Sequence, residues 1–485
     1  MLEPKFSLPD RSYIHGKWVE SSKRETLTLY SAHDDSVVLE GLQCANAADV
    51  DVAVDSAEKA LPVWKAMNTS QKRAVFLRFA DLVVESAERC GYLEAIVVGK
   101  PAYFAAREAY MVAEWFRFYA GFIDKFGGEC HPADHEGYLR LVRREPYGIC
   151  ASINPFNAPL STFAFKVAPA LAAGNVMIAK VSEYNPLSTL IMGELATKAG
   201  FPPGVLNVIV GTAEAGIALS HHMKIQNISF TGSVAVGKQV QLAAANSNLK
   251  TVTLELGGKS PFLVFEDADL EKAIANSASN ILTLNGQGCI LGTRVYVHES
   301  LAEDFVAGMK AKMDKYCETL GNNPLDITTA SMPLAHRAQL QRVLDFLEIG
   351  KKEASCVRGG VRFSTKGCYV EPTIFFKPPP DAEIVRKEIF GPVLCILTFS
   401  TEEEAIAAAN DTEFGLGAYI FTKSIDRALR VSAQLEAGSV CINNTAVVHP
   451  SVPFGGYKSS GVGRENGISA LHHFTQEKSV IIKYE

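Results

Sequence analysis

Apolar and polar positions repeat along this chain with two periods, and the change from one to the other marks its organisation. Near the N-terminus, residues 15–19 and 26–30 alternate as short strands do, whereas 46–67 repeats with helical period behind Asn46, a residue suited to an N-cap. Helical windows follow from Ser70 and over 102–123, with Gly99, Lys100 and Pro101 breaking the chain between them. Residues 138–146 interleave apolar and charged side chains over an extended run. On pattern alone that run fits an exposed edge strand as well as it fits a subunit contact.

From Tyr147 the texture becomes strand and helix in alternation. Strands are expected at 147–153, 175–180, 205–210, 225–231 and 250–256, separated by helices at 161–173, 186–199, 213–221 and 233–245. Alternation at this spacing implies parallel pairing in a doubly wound α/β sheet. Gly174, Gly200 and Gly257 fall at element ends, where glycine is favoured. A second α/β unit follows, with strands at 261–265, 294–298, 393–399, 418–422 and 439–443, and helices at 269–284, 301–319, 335–350, 401–410 and 425–435. The tail 479–484 is again strand-like and can pair with 139–143. No repeat or low-complexity linker divides the two units, so they are expected to pack tightly and share a site.

Composition narrows the function classes. A chain of 485 residues exceeds one ordinary core, and 47% hydrophobic with 21% charged residues suits a globular protein with a large interior. The formal charge of -6 offers no net attraction to nucleic acid or anionic lipid, so a small-molecule ligand is the better match. Residues 1–11 lack a signal-peptide core, and no run is long and apolar enough to span a membrane, which leads to the expectation of a soluble cytoplasmic protein. Ten cysteines without a Cys-x-x-Cys pair match neither a zinc site nor a disulfide framework, so no metal is expected and the thiols are read as reduced.

One of those thiols has special company. Cys289 follows Gly286-Gln287-Gly288 in a polar turn and precedes a strand, an arrangement that puts sulfur where a ligand can reach it. A lone cysteine is more often a small buried hydrophobe. Glu255 sits in an apolar strand that ends in Gly257-Gly258, and such surroundings raise a carboxyl group toward the range of a general base, although a buried ion-pair partner would look the same. Asn157, in Asn-Pro-Phe-Asn-Ala-Pro, reads as a turn residue or as an amide donor.

No Gly-x-Gly-x-x-Gly occurs, yet Phe230-Thr231-Gly232-Ser233 delivers a strand to the start of a helix, whose free N–H groups suit a pyrophosphate as well as they suit a plain N-cap at Ser233. Lys180 and Glu183 end another parallel strand, where ligands of such sheets gather, or else form a simple ion pair. A carboxylate at a ribose repels a 2'-phosphate, which favours NAD over NADP.

The segments around Asn157, Glu255, Cys289 and Glu388, the last in Lys-Glu-Ile-Phe-Gly-Pro-Val, together resemble the aldehyde dehydrogenase superfamily from about Gly16 to the last strand. The resemblance implies a Rossmann-like NAD-binding domain of residues 1–127 and 147–257, an α/β catalytic domain of 258–455, and a small β oligomerisation segment of 128–146 and 475–485. It further implies a homodimer or homotetramer.

The chemistry implied is oxidation of an aldehyde to a carboxylic acid, with a thiohemiacetal and then a thioester on Cys289, an oxyanion held by Asn157 and the Cys289 N–H, and hydrolysis by Glu255. Retention of that glutamate implies release of a free acid, not an acyl-coenzyme A. By the same resemblance Lys166 and Glu465 form a secondary proton relay. Lys180 and Glu183, matching Lys-Pro-x-Glu except that Val181 replaces the proline, bind the adenosine ribose. Glu388 holds the nicotinamide ribose with Phe390 beside the ring.

Family position also assigns the aldehyde funnel to Ala158, Ser161, Thr162, Phe165, Thr283, Ile290, Val448 and Phe454, the last inside Pro-Phe-Gly-Gly-Tyr-Lys-Ser-Ser-Gly. Several of these are small or polar and none is arginine, so the expected substrate is a bulky, aromatic or medium-chain aldehyde without a terminal anion. Two other readings remain at this point: a non-redox thiol hydrolase using Cys289 and Glu255, and a non-catalytic NAD-binding protein of the same fold.

Overall fold

The computed structural model describes residues 5–23, 25–132, 137–445 and 448–484, so residues 133–136 and Glu485 of the expected oligomerisation segment lie outside the described residues. Two mixed sheets carry the architecture. In the first, the parallel strands Ile149–Ile153, Val176–Ser182, Leu206–Gly211, Asn227–Thr231 and Thr251–Glu255 alternate with helices Pro159–Ala172, Leu187–Ala199, Ala213–His221 and Val234–Asn246. Ile149–Ile153 is central: Val176–Ser182 and then Leu206–Gly211 lie to one side, Asn227–Thr231 and then Thr251–Glu255 to the other. Strand order therefore reverses beside Ile149–Ile153, and in such sheets ligands bind beyond the carboxyl ends of the strands at that reversal. Ile149–Ile153 and Val176–Ser182 are buried throughout, which is why they are largely apolar, with Ser152, Lys180 and Ser182 as the polar exceptions.

Helices Ala47–Ala66, Thr69–Glu85, Ala87–Val98 and Ala102–Ala120 flank this sheet. The Asn46 side chain accepts from the Ala48 N–H, and Asp49 returns the bond to the Asn46 N–H, completing a capping box that starts the first helix at that point. Phe76, Phe79, Phe116 and Phe201 then meet, with Phe79 and Phe116 ring centroids 4.4 Å apart. Each such pair is worth about 0.5–1.5 kcal/mol beyond its area.

The second sheet runs Ser355–Arg358, Thr373–Phe376, Val393–Phe399, Gly292–His298, Ser260–Val264, Gly417–Phe421 and Ser439–Ile442 in spatial order. Its apolar faces are covered by Leu270–Leu282 and Ala302–Cys317 on one side and by Arg337–Glu353, Glu402–Asn410 and Ile425–Ser432 on the other. A third, small sheet pairs Tyr138–Pro146 with both Glu129–Cys130 and Thr475–Lys483, joining the two segments whose pairing the sequence suggested. Among the described residues no helix is long and apolar enough to cross a membrane.

Several expectations shift at this scale. His15 and Gly16 are not strand residues but the positive-φ pair of a turn, at 52° and 73°, joining strands Ser12–Ile14 and Lys17–Val19. The helix from Ser70 divides at Ser86, and the short strands Val37–Gln43, Ser355–Arg358 and Thr373–Phe376 carry too little period to be read from sequence. Gly461–Val462 returns from the C-terminal region to edge the first sheet beside Leu254 and Glu255. The chain thus closes over the carboxyl ends of the first sheet from the C-terminal side.

Candidate active site

The carboxyl ends of the first sheet meet the second sheet in a crevice of about 250 Å³. Its walls carry Asn157 from the segment after Ile149–Ile153, Gly232 and Ser233 after Asn227–Thr231, Glu255 at the end of its strand, Cys289, and Glu388 with Phe390. Seven residues expected from sequence at one site are therefore brought together across the two halves.

Cys289 is placed by an unusual turn. The helix Leu270–Leu282 stops at Thr283, and Leu284, Asn285 and Gly286 all take left-handed backbone, with φ of 51°, 53° and 73°. For the two non-glycine residues this costs about 1–2 kcal/mol each. A Cβ on Gly286 would collide with the Gly391 carbonyl, and one on Gly258 with the carbonyl of Cys289 itself, so these glycines let three segments approach as backbone. Gln287 locks the turn: its side chain accepts from the Ala335 N–H at 2.9 Å and donates to the Leu284 carbonyl at 3.0 Å. The Asn157 amide donates to the Gln287 carbonyl at 2.7 Å, which aims the carboxamide at the turn and leaves one N–H of its two.

Electrostatics in the crevice are demanding. Residue 289 keeps some exposure, but its sulfur lies deep, and burial first, then Glu388 and Glu255, push the thiol up to about 12. Iodoacetamide labelling of Cys289 in the cofactor-free protein is therefore expected to keep rising with pH beyond about 10. Glu388→Gln, by removing one facing carboxylate, should speed labelling at pH 9 by about threefold or more. Equal rates in the two proteins would show that Glu388 does not act on the sulfur.

Glu255 is 1% exposed, and neither carboxylate oxygen has a hydrogen-bond partner. Burial and the facing Glu465 hold its carboxyl well above the usual carboxylate range, while Lys166 and Arg464 pull the other way. An unpartnered buried carboxyl whose proton affinity is raised in this way suits a group that takes a proton from water. Lys166 is fully buried, ion-paired with Glu465, and donates to the Thr231 hydroxyl at 2.7 Å; Ser229 donates to Glu465 at 3.1 Å. Lys166, Glu465 and Ser229 do not line the crevice, whereas Thr231 does, so the Lys166 ammonium reaches the crevice wall through the Thr231 hydroxyl.

The residues fit a dinucleotide. Ser233 caps the thirteen-residue helix Val234–Asn246, accepting from the Val236 N–H, so the helix start opens on the crevice wall. A Cβ at Gly232 would come 2.5 Å from the Phe230 ring, and one at Gly257 would strike the Glu388 carboxylate, so bare backbone faces the space between them. Glu388 accepts from the Gly258 N–H at 2.9 Å, which fixes its side chain, and burial raises its carboxyl. Lys180 and Glu183 lie apart from this crevice. Lys180 is buried at the end of its strand, 3.7 Å from Glu183, and burial lowers its amine; Glu183 lines a neighbouring cavity of about 420 Å³ with Tyr184, Thr212 and His336.

The funnel residues separate into groups. Phe165 and Phe454 face each other at 6.4 Å, and Trp115 lies 5.0 Å from Phe165. The Ser161 hydroxyl is not free: it donates to Glu108 at 3.3 Å, and Glu108 belongs with Lys100 and Glu94 to a buried ion-paired group. Thr162 donates to the Ala158 carbonyl at 2.9 Å, which turns it back onto its own helix; Ala158 is the residue preceding that helix. Thr283 lines a different cavity with Tyr103, Phe104 and Tyr316. Ile290 packs on the second-sheet core and Val448 on the first.

Two crevice residues escape sequence reasoning. Gln339 donates to the Phe390 carbonyl at 2.7 Å and Arg342 to the Glu388 carbonyl at 2.6 Å, so one helix face holds the backbone of the Glu388 to Phe390 segment. In the sequence they are an ordinary polar i, i+3 pair on an amphipathic helix.

Residues 18–480 match the sequence model of a family described as the aldehyde dehydrogenase family. Aldehyde dehydrogenase 1 of Tanacetum cinerariifolium is 42% identical over 478 residues, spanning 96% of this chain and 94% of that one. Retinal dehydrogenase 2 of Homo sapiens is 39% identical over 490 residues, spanning 99% of this chain and 93% of that one. Among solved structures, a mutant indole-3-acetaldehyde dehydrogenase of P. syringae in complex with NAD+ and IAA superposes with a TM-score of 0.96 at 36% identity, covering 99% of this chain and 98% of that one.

Proposed function

Because this chain belongs to the aldehyde dehydrogenase family and is an NAD-dependent enzyme of aldehyde oxidation, we propose that it works through a thiohemiacetal and a thioester on Cys289 and prefers bulky, aromatic or medium-chain aldehydes. The observation that carries the reading is the crevice in which Cys289, Asn157 and Glu255 face Ser233 and Glu388. Ser233, Gly232, Glu388 and Phe390 would hold the cofactor's pyrophosphate and nicotinamide end, and Lys180 with Glu183 its adenosine ribose. NAD, when bound, supplies the acceptor for the aldehyde hydrogen.

The protein's own groups do the rest. The Cys289 thiol gives up its proton to solvent as its sulfur adds to the aldehyde carbon, and the carbonyl oxygen becomes an oxyanion that accepts from the remaining Asn157 N–H and the Cys289 N–H. Each such donor is worth about 10²–10³ in rate. Oxidation leaves a thioester, Glu255 takes a proton from water as the water adds to it, and collapse expels the thiolate and a carboxylic acid. The unpartnered state of Glu255 supports that role over a purely structural ion pair, which would not leave both oxygens unbonded, and the presence of Ser233 and Glu388 in the same crevice supports the redox reading over a thiol hydrolase that needs neither.

The aromatic wall of Trp115, Phe165 and Phe454 supports a large apolar or aromatic substrate. Glu183 at the ribose supports NAD over NADP. The exposed side chains of Ile481 and Ile482, on the strand Thr475–Lys483, support assembly through the small sheet, as a homodimer or homotetramer. A panel of aldehydes tests the substrate reading: kcat/KM for NADH formation should be about tenfold or more higher with aromatic and medium-chain aldehydes than with acetaldehyde or succinate semialdehyde. Either small substrate leading the panel would overturn it.

A further inference from the structure

Glu465 is carried on backbone that an outlying tryptophan holds. The next residue, Asn466, has φ 59° and ψ 174°, a conformation that side chains other than glycine rarely adopt. Its carboxamide oxygen accepts from the Trp115 indole N–H at 2.7 Å, while its own amide nitrogen has no partner. One helical turn along, the Tyr119 hydroxyl donates to the Gly467 carbonyl at 3.0 Å, so a single face of Ala102–Ala120 grips both residues after Glu465. Glu465 is bridged on its other side by two backbone bonds of 2.7 Å with Phe454. Phe454 meets Phe165, and Phe165 meets the Trp115 ring, which closes the circle.

We propose that Trp115 is a positioning residue for the hydrolytic step: its N–H holds the Asn466 carboxamide, that hold fixes Glu465, and Glu465 sets the charge that Glu255 faces. The same indole ring backs the aromatic wall of the funnel, so one side chain joins substrate wall and base. The inference rests on the reading of Glu255 as base. The groups facing Glu255 are Glu465, Lys166, Arg464 and Cys289, and those facing Glu465 are Glu255, Lys166, Ser229, Tyr119, His473 and Cys289. Burial comes first in keeping Glu255 protonated to higher pH, and Glu465 is the facing carboxylate that adds to it. If Glu465 drifts away, Glu255 ionises at lower pH and becomes a weaker base.

p-Nitrophenyl acetate isolates the step without the cofactor. The Cys289 thiolate attacks the ester carbonyl, p-nitrophenolate leaves, and the acetyl thioester is then hydrolysed to acetate with the water proton passing to Glu255. Trp115→Phe keeps the ring and removes the N–H; Asn466→Gly removes the acceptor and suits the backbone there. Each is expected to slow deacylation about tenfold and to move the acid limb of its pH profile down by about half a pH unit or more, and Asn466→Gly, which lies off the substrate wall, is expected to leave the p-nitrophenolate burst intact. The double variant should be no worse than either single one, because both remove the same bond. Glu465→Gln should move the limb the same way. If it does and neither Trp115→Phe nor Asn466→Gly does, the positioning role is overturned; if Glu465→Gln itself leaves the limb in place, the reading of the base and its neighbour fails instead. Should Trp115→Phe not fold, Asn466→Gly alone decides between the same outcomes.

Discussion

Cys289→Ala is expected to abolish aldehyde-dependent NADH formation, lowering kcat by at least about four orders of magnitude, because among the described residues no other thiol lines the crevice and the Thr231 and Ser233 hydroxyls are far weaker nucleophiles. NAD affinity should survive the change. The groups proposed to face the cofactor are placed without the Cys289 side chain: Ser233 caps the Val234–Asn246 helix and Glu388 accepts from the Gly258 N–H. Isothermal titration of NAD and an assay for NADH therefore separate chemistry from binding. Substantial turnover without the thiol would remove the covalent route altogether.

Glu255→Gln is expected to act on the other half of the reaction. The amide keeps the shape of the side chain but cannot take a proton, so one equivalent of NADH should form at a near-normal rate and turnover should then fall by about 10²–10⁴. In the native enzyme the sign of the pH dependence follows from burial and Glu465, which keep the carboxyl protonated well above its usual range. With Glu255 as the base, hydrolysis is expected to be weak while it holds its proton and to rise as pH passes through its raised pKa. Steady-state kcat should accordingly show an acid limb above the usual carboxylate range, and that limb should disappear in Glu255→Gln while the slow residual rate remains. A full-rate enzyme with glutamine at 255 would assign the base elsewhere.

Much of this site was legible before the structure because its constraints are local. Cys289, Asn157 and Glu388 each sit where glycine or proline forces a turn, and the turns are needed for reasons that the backbone shows: Gly258 and Gly286 admit carbonyl groups that any side chain would exclude. Glu255 stood out as a carboxylate at the end of an apolar strand, and it is buried and unpartnered there. The parallel strands were visible because full burial makes them largely apolar.

What escaped depends on contacts distant in sequence. Gln339 and Arg342 act through carbonyls some fifty residues away, and nothing in their helix distinguishes them from solvated polar side chains. The Trp115 bond to Asn466 spans 351 positions. Ser161 reads as an open funnel hydroxyl until Glu108 is seen to accept from it. Side-chain partners of this kind follow from packing, which no periodicity encodes.

The most direct test is to mix Glu255→Gln with NAD and a medium-chain or aromatic aldehyde, quench in acid once the first NADH has formed, and weigh the protein and its peptides. A thioester-bound acyl group on the peptide containing Cys289, in amount matching the NADH released, is the predicted result. NADH formed with residue 289 unmodified, or an acyl group on some other side chain, would contradict it.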